Sequence, residues 1–555
     1  MPDTTIGSGE EKGAGAQEKT GALESTASSL DHSEGETESI EHGFGQLHRS
    51  FTPRQIHIIS LGSNVGSGLF IATGKALASG GPGTMFFAYL MVCSGVWANL
   101  QTLGEMTIAF PTSGNYVDYA GRWVDPALAF GAGFAEWLGW VAVFASEAGF
   151  FVILVNYWAE GAVPEAAWIT IFLVICLVVF FLPNKAFAWL QSFGSMVKII
   201  LFLLIVVLSL ALIGGAGSTG SVHDGSYWTN GLAFQNGFGG FANCALLAIW
   251  AVGDQVFIGV MGGEAKSPRY SMAHAATLVP FRTGFMYIVC VIFIGLLVPS
   301  DDPHLLGGSG AAASPFVIAV TEAGIKGLPD LINACIIIGV VAIALESIYL
   351  PSRMIRTMAL QGLIPSFLGK CDSRGRPRWA LAITALVAIV FSYMSLSGGG
   401  TTALNWFISI TSASFFCNWA IIAVSNYRFH QALRAQGDRI FDQTYSWQSI
   451  AWPLAPAYLL IVCLMLLVCL LYAAISPLGG AGFTANNFFQ YTIGLIVIVV
   501  FTVAYKIIMR TKWQDVATAD LVRGRHVLSA DEIKRLDEYY RRPLWRRIGT
   551  YVSLW

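Results

Sequence analysis

Long apolar runs recur along almost the whole chain and constrain its fold more than any other feature. A transmembrane helix needs about 20 predominantly apolar residues to cross the hydrocarbon core of a bilayer. Twelve runs of comparable length are present, at 56–74, 85–110, 127–157, 166–183, 189–213, 240–262, 279–299, 329–352, 379–396, 403–427, 453–477 and 487–510. We therefore predict an all-α, polytopic membrane protein with twelve transmembrane helices.

Charge and cysteine content argue against other classes of protein. Only 12% of the 555 residues are Asp, Glu, Lys or Arg, against about 25% in soluble globular domains. The net charge of −2 gives no reason to expect a nucleic acid partner. The nine cysteines are dispersed, without CxxC or His/Cys pairing, so the sequence predicts neither a metal site nor a cofactor. No P-loop or nucleophile motif suggests an enzyme.

Polar ends flank this membrane domain. Residues 1–50 are acidic and rich in Gly, Ser and Thr, which predicts a disordered tail. Residues 51–510 contain the twelve runs, and residues 511–555 form a second polar tail. Within that tail, SADEIKRLDEYYRR predicts an amphipathic helix, because Ser529 followed by Glu532 fits a capping box.

The basic residues of the loops are distributed unevenly. If the N-terminus lies inside, the five inner loops hold fourteen Lys and Arg residues, whereas the six outer loops hold only Lys75 and Lys326. Cytoplasmic loops of membrane proteins carry the excess of Lys and Arg. The distribution therefore predicts that both termini are cytoplasmic.

One basic residue, Lys198, falls inside a predicted span, the fifth. A charged side chain at membrane depth is costly and usually marks a functional site; the alternative is that it snorkels towards the inner interface. Acidic residues lie in other spans, at Glu105, Glu136, Glu147, Asp254, Glu264 and Glu346. For each of them alone, structural and functional roles stay open. Together with Lys198, they indicate an ion- or proton-linked path.

Glycine and polar residues interrupt two of the spans. The first contains GSNVGSGLF at 62–70, and the sixth contains AIWAVGDQVFIGVMGG at 248–263. Breaks at corresponding places in two halves of five helices point to a transporter binding site. Unwound backbone offers N–H groups that suit a carboxylate and carbonyls that suit an ammonium group, so an amino acid matches both. The alternative is close helix packing through small residues.

Longer motifs carry a resemblance to a known family. They include RQIHIISLGSNVGSGLFIATGKALASGGPGT, QTLGEMTIAFPTSGNYVDYAGRWVDPALAF, GGEAKSPRYSMAHA and SRMIRTMALQGLIPSFLGKCDSRGRPRWAL. Over about residues 50–510 the chain resembles fungal amino acid permeases, the yeast amino acid transporter family of the amino acid–polyamine–organocation superfamily. The resemblance implies a LeuT-like, five-plus-five inverted repeat plus two helices, with broken first and sixth helices. It also implies a secondary active transporter, not an enzyme, that imports amino acids across the plasma membrane by proton symport with alternating access.

The resemblance also implies which residues bind the substrate. Backbone N–H groups of the unwound first helix would hold its carboxylate, at Ser63, Asn64, Gly66, Ser67 and Gly68. Carbonyls of the broken sixth helix would face its amine, at Ile249, Ala251, Gly253, Asp254 and Gln255.

Three ionisable residues are candidates for proton coupling. Glu147 matches a third-helix glutamate of fungal members, and Lys198 matches a fifth-helix lysine of the family. Glu136 is a charge where relatives have asparagine and aromatic residues. We expect a charged Lys198 to tie the first helix to the fifth through backbone carbonyls, and a neutral Lys198 to let them part. The proton gradient, rather than a cofactor, would supply the energy.

The sixth helix departs from the family pattern. Asp254, Gln255 and Val256 stand where relatives usually have glycine, threonine and glutamate. The substrate therefore stays open, and the alternatives are a transport-deficient amino acid sensor and a permease for another small amine-containing solute. The expected partners are an amino acid, protons and the lipid bilayer. Lys12 and Lys19 are candidate ubiquitin acceptors, so ubiquitin ligase adaptors are candidate partners of the tails.

Overall fold

The computed structural model describes residue 62 and residues 65–112, 114–180, 184–253, 268–305, 314–372, 375–396, 400–480 and 482–553. This part of the chain is helical, with no β-strand among the described residues. Its fifteen α-helices are α1 (Thr73–Ala109), α2 (Asn115–Trp123), α3 (Pro126–Ala159), α4 (Glu165–Val179), α5 (Asn184–Ile213), α6 (Gly237–Val252), α7 (Pro268–Leu297), α8 (Pro315–Glu322), α9 (Leu328–Leu360), α10 (Arg378–Met394), α11 (Gly400–Gln436), α12 (Leu454–Ile475), α13 (Ala485–Met509), α14 (Ala530–Arg541) and α15 (Leu544–Ser553).

Most predicted spans correspond to these helices. Eight described helices are long and apolar enough to cross a membrane, namely α1, α3, α5, α7, α9, α11, α12 and α13. The predicted fourth, sixth and ninth spans overlap three shorter apolar helices, α4, α6 and α10. Residues 56–61, 63 and 64 of the first predicted span lie outside the described residues. A polytopic helical membrane protein is therefore confirmed, and the number twelve stays a prediction.

The first and second predicted spans are joined at a sharp kink. Gly81 has φ of 78° and precedes Pro82, so the helical dihedrals are broken there. The backbone N–H groups of Gly83 and Thr84 instead donate to the carbonyl of Ala233, at 2.9 and 3.2 Å. The helix of the first predicted span therefore continues beyond residue 74, its predicted end. The bend lies at Gly81 and Pro82 rather than at the end of the apolar run.

Two sets of helices meet at the centre of the molecule. Helices α6 and α7 both pack on α1, while α3 packs on α9, α10 and α11. Helix α11 also contacts α1 and α6, so it joins the two sets. Large apolar side chains on α5 and α13 point outward, with Val207 65% and Ile508 75% exposed. Such surfaces suit contact with lipid rather than water.

The C-terminal segment packs on one face of the helices. Trp123 Nε1 donates to the carbonyl of Asp520 at 3.0 Å, and Arg525 forms two hydrogen bonds with Asp438, at 2.6 and 3.1 Å. His274 Nε2 lies 3.0 Å from the hydroxyl of Tyr539. The end of α2, the first turns of α7 and the residues after α11 therefore contact the same C-terminal segment. The capping box predicted for α14 is confirmed, with Ser529 as its N-cap.

Candidate substrate and proton site

A π-helical turn, Gly68–Ala72, precedes α1, and its five residues are buried. The N–H groups of Leu69 and Phe70 both donate to the carbonyl of Gly66, at 3.0 and 2.9 Å. π-turns are rare and are frequent at functional sites. The first N–H groups of a helix have no acceptor one turn back, so this helix opening can bind an acceptor from another molecule.

The glycines of GSNVGSGLF let three elements approach closely. A Cβ atom at Gly68 would lie 2.7 Å from Cβ and 2.9 Å from Cα of Ala251, at the end of α6. One at Gly66 would lie 1.9 Å from Cδ1 of Ile343, on α9. Both distances are far below a carbon–carbon contact of about 3.5–4.0 Å. The small residues therefore serve packing as well as the break, and the two interpretations of this motif are compatible.

Ser67 and Glu147 join the helix opening to α3. The Ser67 hydroxyl donates a hydrogen bond of 2.5 Å to Oε1 of Glu147. Both residues are buried, at 1% exposure each. A hydrogen bond to an ionised carboxylate is about twice as strong as one between neutral groups. The structure thus brings Ser67, predicted to bind substrate, into direct contact with Glu147, predicted to take part in proton coupling.

Helix α6 ends at Val252, with Gly253 as its C-cap. The carbonyl of Ala251 accepts a hydrogen bond from Tyr287 at 2.8 Å, and that of Gly253 accepts one from Trp419 Nε1 at 3.1 Å. The carbonyl of Ile249 accepts from the N–H of Gly253 within the helix, at 2.8 Å. Each carbonyl oxygen has two lone pairs, so Ala251 and Gly253 retain capacity for a second donor.

Four predicted binding residues, Ser63, Asn64, Asp254 and Gln255, lie outside the described residues. Around the remaining ones is a cavity of about 50 Å³ at the meeting point of the two helix sets. Predicted residues on its wall are Gly66, Ser67, Gly68, Glu147 and Ala251, whereas Ile249 and Gly253 do not line it. The other wall residues are Trp140, Val143, Trp250, Tyr287, Ile343, Glu346 and Phe415.

Lys198 lies on α5 beside this cavity and is completely buried. Its aliphatic stem packs on Gly339 of α9, where a Cβ atom would be 3.2 Å from Cγ of the lysine. Its Nζ has no hydrogen-bond partner among the described residues. Burial at 0% exposure is inconsistent with snorkelling to an interface. The charges that act on it are the carboxylates of Glu346 and Glu147.

Sequence comparison identifies the family to which this chain belongs. Residues 55–518 match the profile of the amino acid permease family. The chain belongs to this family. It is 32% identical to the amino-acid permease GAP3 of Candida albicans, over 91% of this chain and 85% of that protein. It is 30% identical to the cationic amino acid transporter 1 of Schizosaccharomyces pombe, over 86% of this chain and 81% of that protein. As a permease, it is a transporter rather than an enzyme.

A third relative is the general amino acid permease AGP1 of Saccharomyces cerevisiae. It is 29% identical over 93% of this chain and 82% of its own length. The matches extend through both helix sets, so the cavity lies inside the region that the family shares.

Glu136 of this permease is held by Trp140 and Asn418 and does not itself line the cavity. Its Oε1 accepts from Trp140 Nε1 at 2.9 Å, and its Oε2 accepts from Asn418 Nδ2 at 2.7 Å. The Trp140 ring lines the cavity, so Glu136 is one residue removed from it. These contacts tie α3 to α11 and separate Glu136 from the group around Lys198.

Glu105 forms another buried polar cluster, on α1 and α11. Its Oε2 accepts from Asn426 Nδ2 at 2.9 Å and lies 3.1 Å from Nε2 of His430. Neither Glu105 nor His430 lines the cavity. This acid therefore has a structural partner on α11, which favours a structural role for it.

Sequence reasoning did not assign Glu346 or Gln191 to the site. Glu346 is 4% exposed, lines the cavity and accepts a hydrogen bond from Gln191 Nε2. The signal for Glu346 was present, because an acidic residue inside a predicted span is functional by default. The eighth predicted span carries no glycine-rich break, so the sequence linked Glu346 to Lys198 only as one of six acidic residues in the spans. The aromatic wall residues had no distinguishing signal in a chain with 13% aromatic residues.

Proposed function

We propose that this permease is a secondary active transporter that imports amino acids across the plasma membrane by proton symport and alternating access. The observation that carries the proposal is the hydrogen bond from Ser67 to Glu147 on the wall of a central cavity, beside the buried Lys198. A helix opening, a carboxylate and an ammonium group thus surround one small space. Amino acids carry the complementary groups.

The two ends of the substrate would bind to two helix termini. Its carboxylate would accept hydrogen bonds from the N–H groups near Gly66, Ser67 and Gly68, where the positive end of the helix dipole favours an anion. Its ammonium group would approach the carbonyl of Ala251 and the carboxylate of Glu147, which both line the cavity. Aromatic rings complete the wall and would contact the substrate side chain.

Proton coupling would depend on Lys198 and Glu147. Lys198 is buried without a hydrogen-bond partner among the described residues, and such an isolated charge is costly. Loss or gain of one proton would change how strongly α5, α3 and the helix opening attract one another. The two protonation states would then differ in their preference for the inward-open and outward-open conformations, as alternating access requires.

The LeuT-like inverted repeat with twelve helices belongs to the same proposal. It is supported by the separate packing of α1, α6 and α7 from α3, α9 and α10. The cytoplasmic position of both termini is supported by the loop charge distribution. The plasma membrane location is supported by membership of the amino acid permease family. Ubiquitin ligase adaptors remain proposed partners of the tails.

Uptake of a labelled amino acid panel in permease-deficient yeast tests the function. Cells expressing the protein are compared with vector controls at acidic outside pH, with and without a protonophore. We expect uptake of one group of amino acids that the protonophore abolishes. Uptake that survives the protonophore would refute proton symport. No uptake of any amino acid, with the protein confirmed at the cell surface, would favour a sensor or a permease for another amine-containing solute.

A further inference from the structure

We propose that Glu346 is a proton-binding site of this permease, held by Gln191 and acting with Lys198. This inference rests on the proposed function and adds a residue that the family resemblance does not supply. Glu346 lies on α9, lines the cavity and accepts a hydrogen bond from Gln191 on α5. Glu346 reaches the cavity from α9, whereas Glu147 reaches it from α3.

Charge balance in the cavity points to a bound proton. Lys198 carries one positive charge, whereas Glu147 and Glu346 carry two negative charges when ionised, which leaves one negative charge uncompensated. The three side chains are 0%, 1% and 4% exposed. An unpaired buried charge is strongly unfavourable. A zwitterionic amino acid adds no net charge, so one proton on a carboxylate makes the loaded site neutral.

The surrounding groups decide which carboxylate takes that proton. Besides Glu147 and Glu346, the other titratable side chain on the described cavity wall is Tyr287, whose hydroxyl donates to the carbonyl of Ala251. Asp254 lies outside the described residues. Glu147 accepts the Ser67 hydroxyl hydrogen at 2.5 Å, and a hydrogen bond donated to a carboxylate stabilises its ionised form. Gln191 donates to Glu346 in the same way, but its amide can also turn its oxygen towards a protonated acid, and on that ground the proton is placed on Glu346.

Gln191 suits both protonation states of Glu346. Its Nε2 donates to the carboxylate, and its Oε1 has no hydrogen-bond partner among the described residues. An amide has a donor end and an acceptor end. Rotation of the Gln191 amide by a half turn would present the oxygen to a protonated Glu346 as acceptor. The pair can therefore keep one hydrogen bond between Gln191 and Glu346 in both protonation states.

The position of Glu346 gives the proton a mechanical consequence. Ionised, Glu346 attracts Lys198 and holds α9 to α5; protonated, it keeps only the neutral hydrogen bond with Gln191. Because Glu346 and the helix opening line the same cavity, a bound substrate lies next to the carboxyl group that gains or loses the proton. Protonation of Glu346 and occupancy by a zwitterion would then favour each other.

Proteoliposomes containing the full-length protein and the Glu346→Gln variant test the inference. The probe is a tritium-labelled mixture of zwitterionic amino acids, followed in two assays: equilibrium exchange without a gradient, and uphill accumulation driven by an imposed pH gradient. We expect Glu346→Gln, which resembles the protonated acid, to keep exchange within about threefold of wild type and to lose accumulation. Its exchange should also lose the pH dependence of wild type, which for one proton is at most about tenfold per pH unit.

Matched variants separate coupling from folding. Glu105→Gln alters another buried carboxylate that accepts an amide hydrogen and should leave accumulation intact. Glu346→Asp should restore accumulation with a shifted pH profile. Accumulation by Glu346→Gln at the wild-type ratio would overturn this inference and leave the proposed function standing. If Glu346→Gln does not exchange and Glu346→Asp restores nothing, Glu346 is structural and the inference is wrong. Absence of accumulation by wild type would instead refute proton symport itself.

Discussion

The Ser67 hydroxyl donates a hydrogen bond of 2.5 Å to Glu147 and so connects the opening of the first described helix to the middle of α3. The two residues are 80 positions apart in the chain. The same cavity contains both, together with Glu346. Substitution of either residue should therefore weaken substrate binding more than it lowers the thermal stability of the protein.

Removal of this hydrogen bond should weaken transport. A hydrogen bond to a charged group contributes about 1.5–3 kcal/mol, so Ser67→Ala should lower kcat/KM for amino acid uptake by roughly ten- to a hundredfold. Ser146→Ala is the matched control, since the buried Ser146 hydroxyl bonds only to the Ala142 carbonyl one turn back in α3. Equal losses in both variants, at equal surface levels, would show that the Ser67–Glu147 contact has no special role.

Overpacking at Gly66 should be reversible by a second mutation. Gly66→Ala places a methyl group against Cδ1 of Ile343, and overpacking of this kind costs about 1–3 kcal/mol. Ile343→Val removes that terminal methyl group, so the double variant should recover much of the uptake lost by Gly66→Ala. Gly149→Ala is the control and should leave uptake unchanged, because among the described residues its added methyl group would contact Leu404 at 3.6 Å, an ordinary van der Waals distance. Failure of Ile343→Val to restore uptake would mean that Gly66 is needed for its backbone conformation instead.

Sequence patterns predicted the helices well because hydrophobic length is a local property. The apolar runs located α3, α9 and α12, and the Ser529–Glu532 spacing located α14. The contacts of Glu346 were not predictable, because a buried acid gives the same pattern whether its partner is Gln191 or a backbone amide. The bend at Gly81 also escaped prediction, since it depends on carbonyl acceptors at Ala233 far along the chain.

Lys198 should be needed for coupling but not for exchange. Lys198→Ala removes the buried ammonium group and should abolish uphill accumulation in proteoliposomes while equilibrium exchange persists. Lys198→Met should have the same transport defect, yet melt at a higher temperature than the alanine variant, because methionine fills the space against Gly339; a buried Met-to-Ala truncation costs about 2–5 kcal/mol. Full proton-coupled accumulation by either variant would refute the role of Lys198.

Docking of the C-terminal segment should depend on the pair between Arg525 and Asp438. Its two hydrogen bonds resemble the bidentate geometry that makes arginine–carboxylate pairs strong. Asp438→Arg and Arg525→Asp should each increase chymotryptic cleavage of residues 511–541 several-fold, and the double exchange should restore protection. Arg523→Asp is the control, because it makes the same charge change at an exposed neighbour. Unchanged cleavage in both single variants would show that other contacts dominate docking.

The start of α3 should make thermal stability depend on pH. Asp125 is the N-cap, accepts the Ala127 N–H at 2.8 Å and the Thr511 hydroxyl at 2.7 Å, and pairs with Lys506. Burial raises the pKa of Asp125, but these hydrogen bonds outweigh burial and its pKa is lowered overall. Stabilisation by a depressed acid is complete above its unfolded pKa of about 3.9 and is lost as the pH falls through the lower folded value.

Thermal melting of the purified protein in detergent measures this effect. At pH 7, Asp125→Ala should reduce the free energy of unfolding by about 0.5–2 kcal/mol, the usual contribution of an N-cap. The difference in Tm between wild type and Asp125→Ala should shrink as the pH falls below about 4, because the wild-type carboxylate then becomes protonated. Thr511→Val removes one of the donors, so it should reduce the stabilisation at pH 7 and raise the pH at which the loss is complete. A difference in Tm that is the same at pH 7 and pH 3 would show that the ionised form of Asp125 contributes nothing.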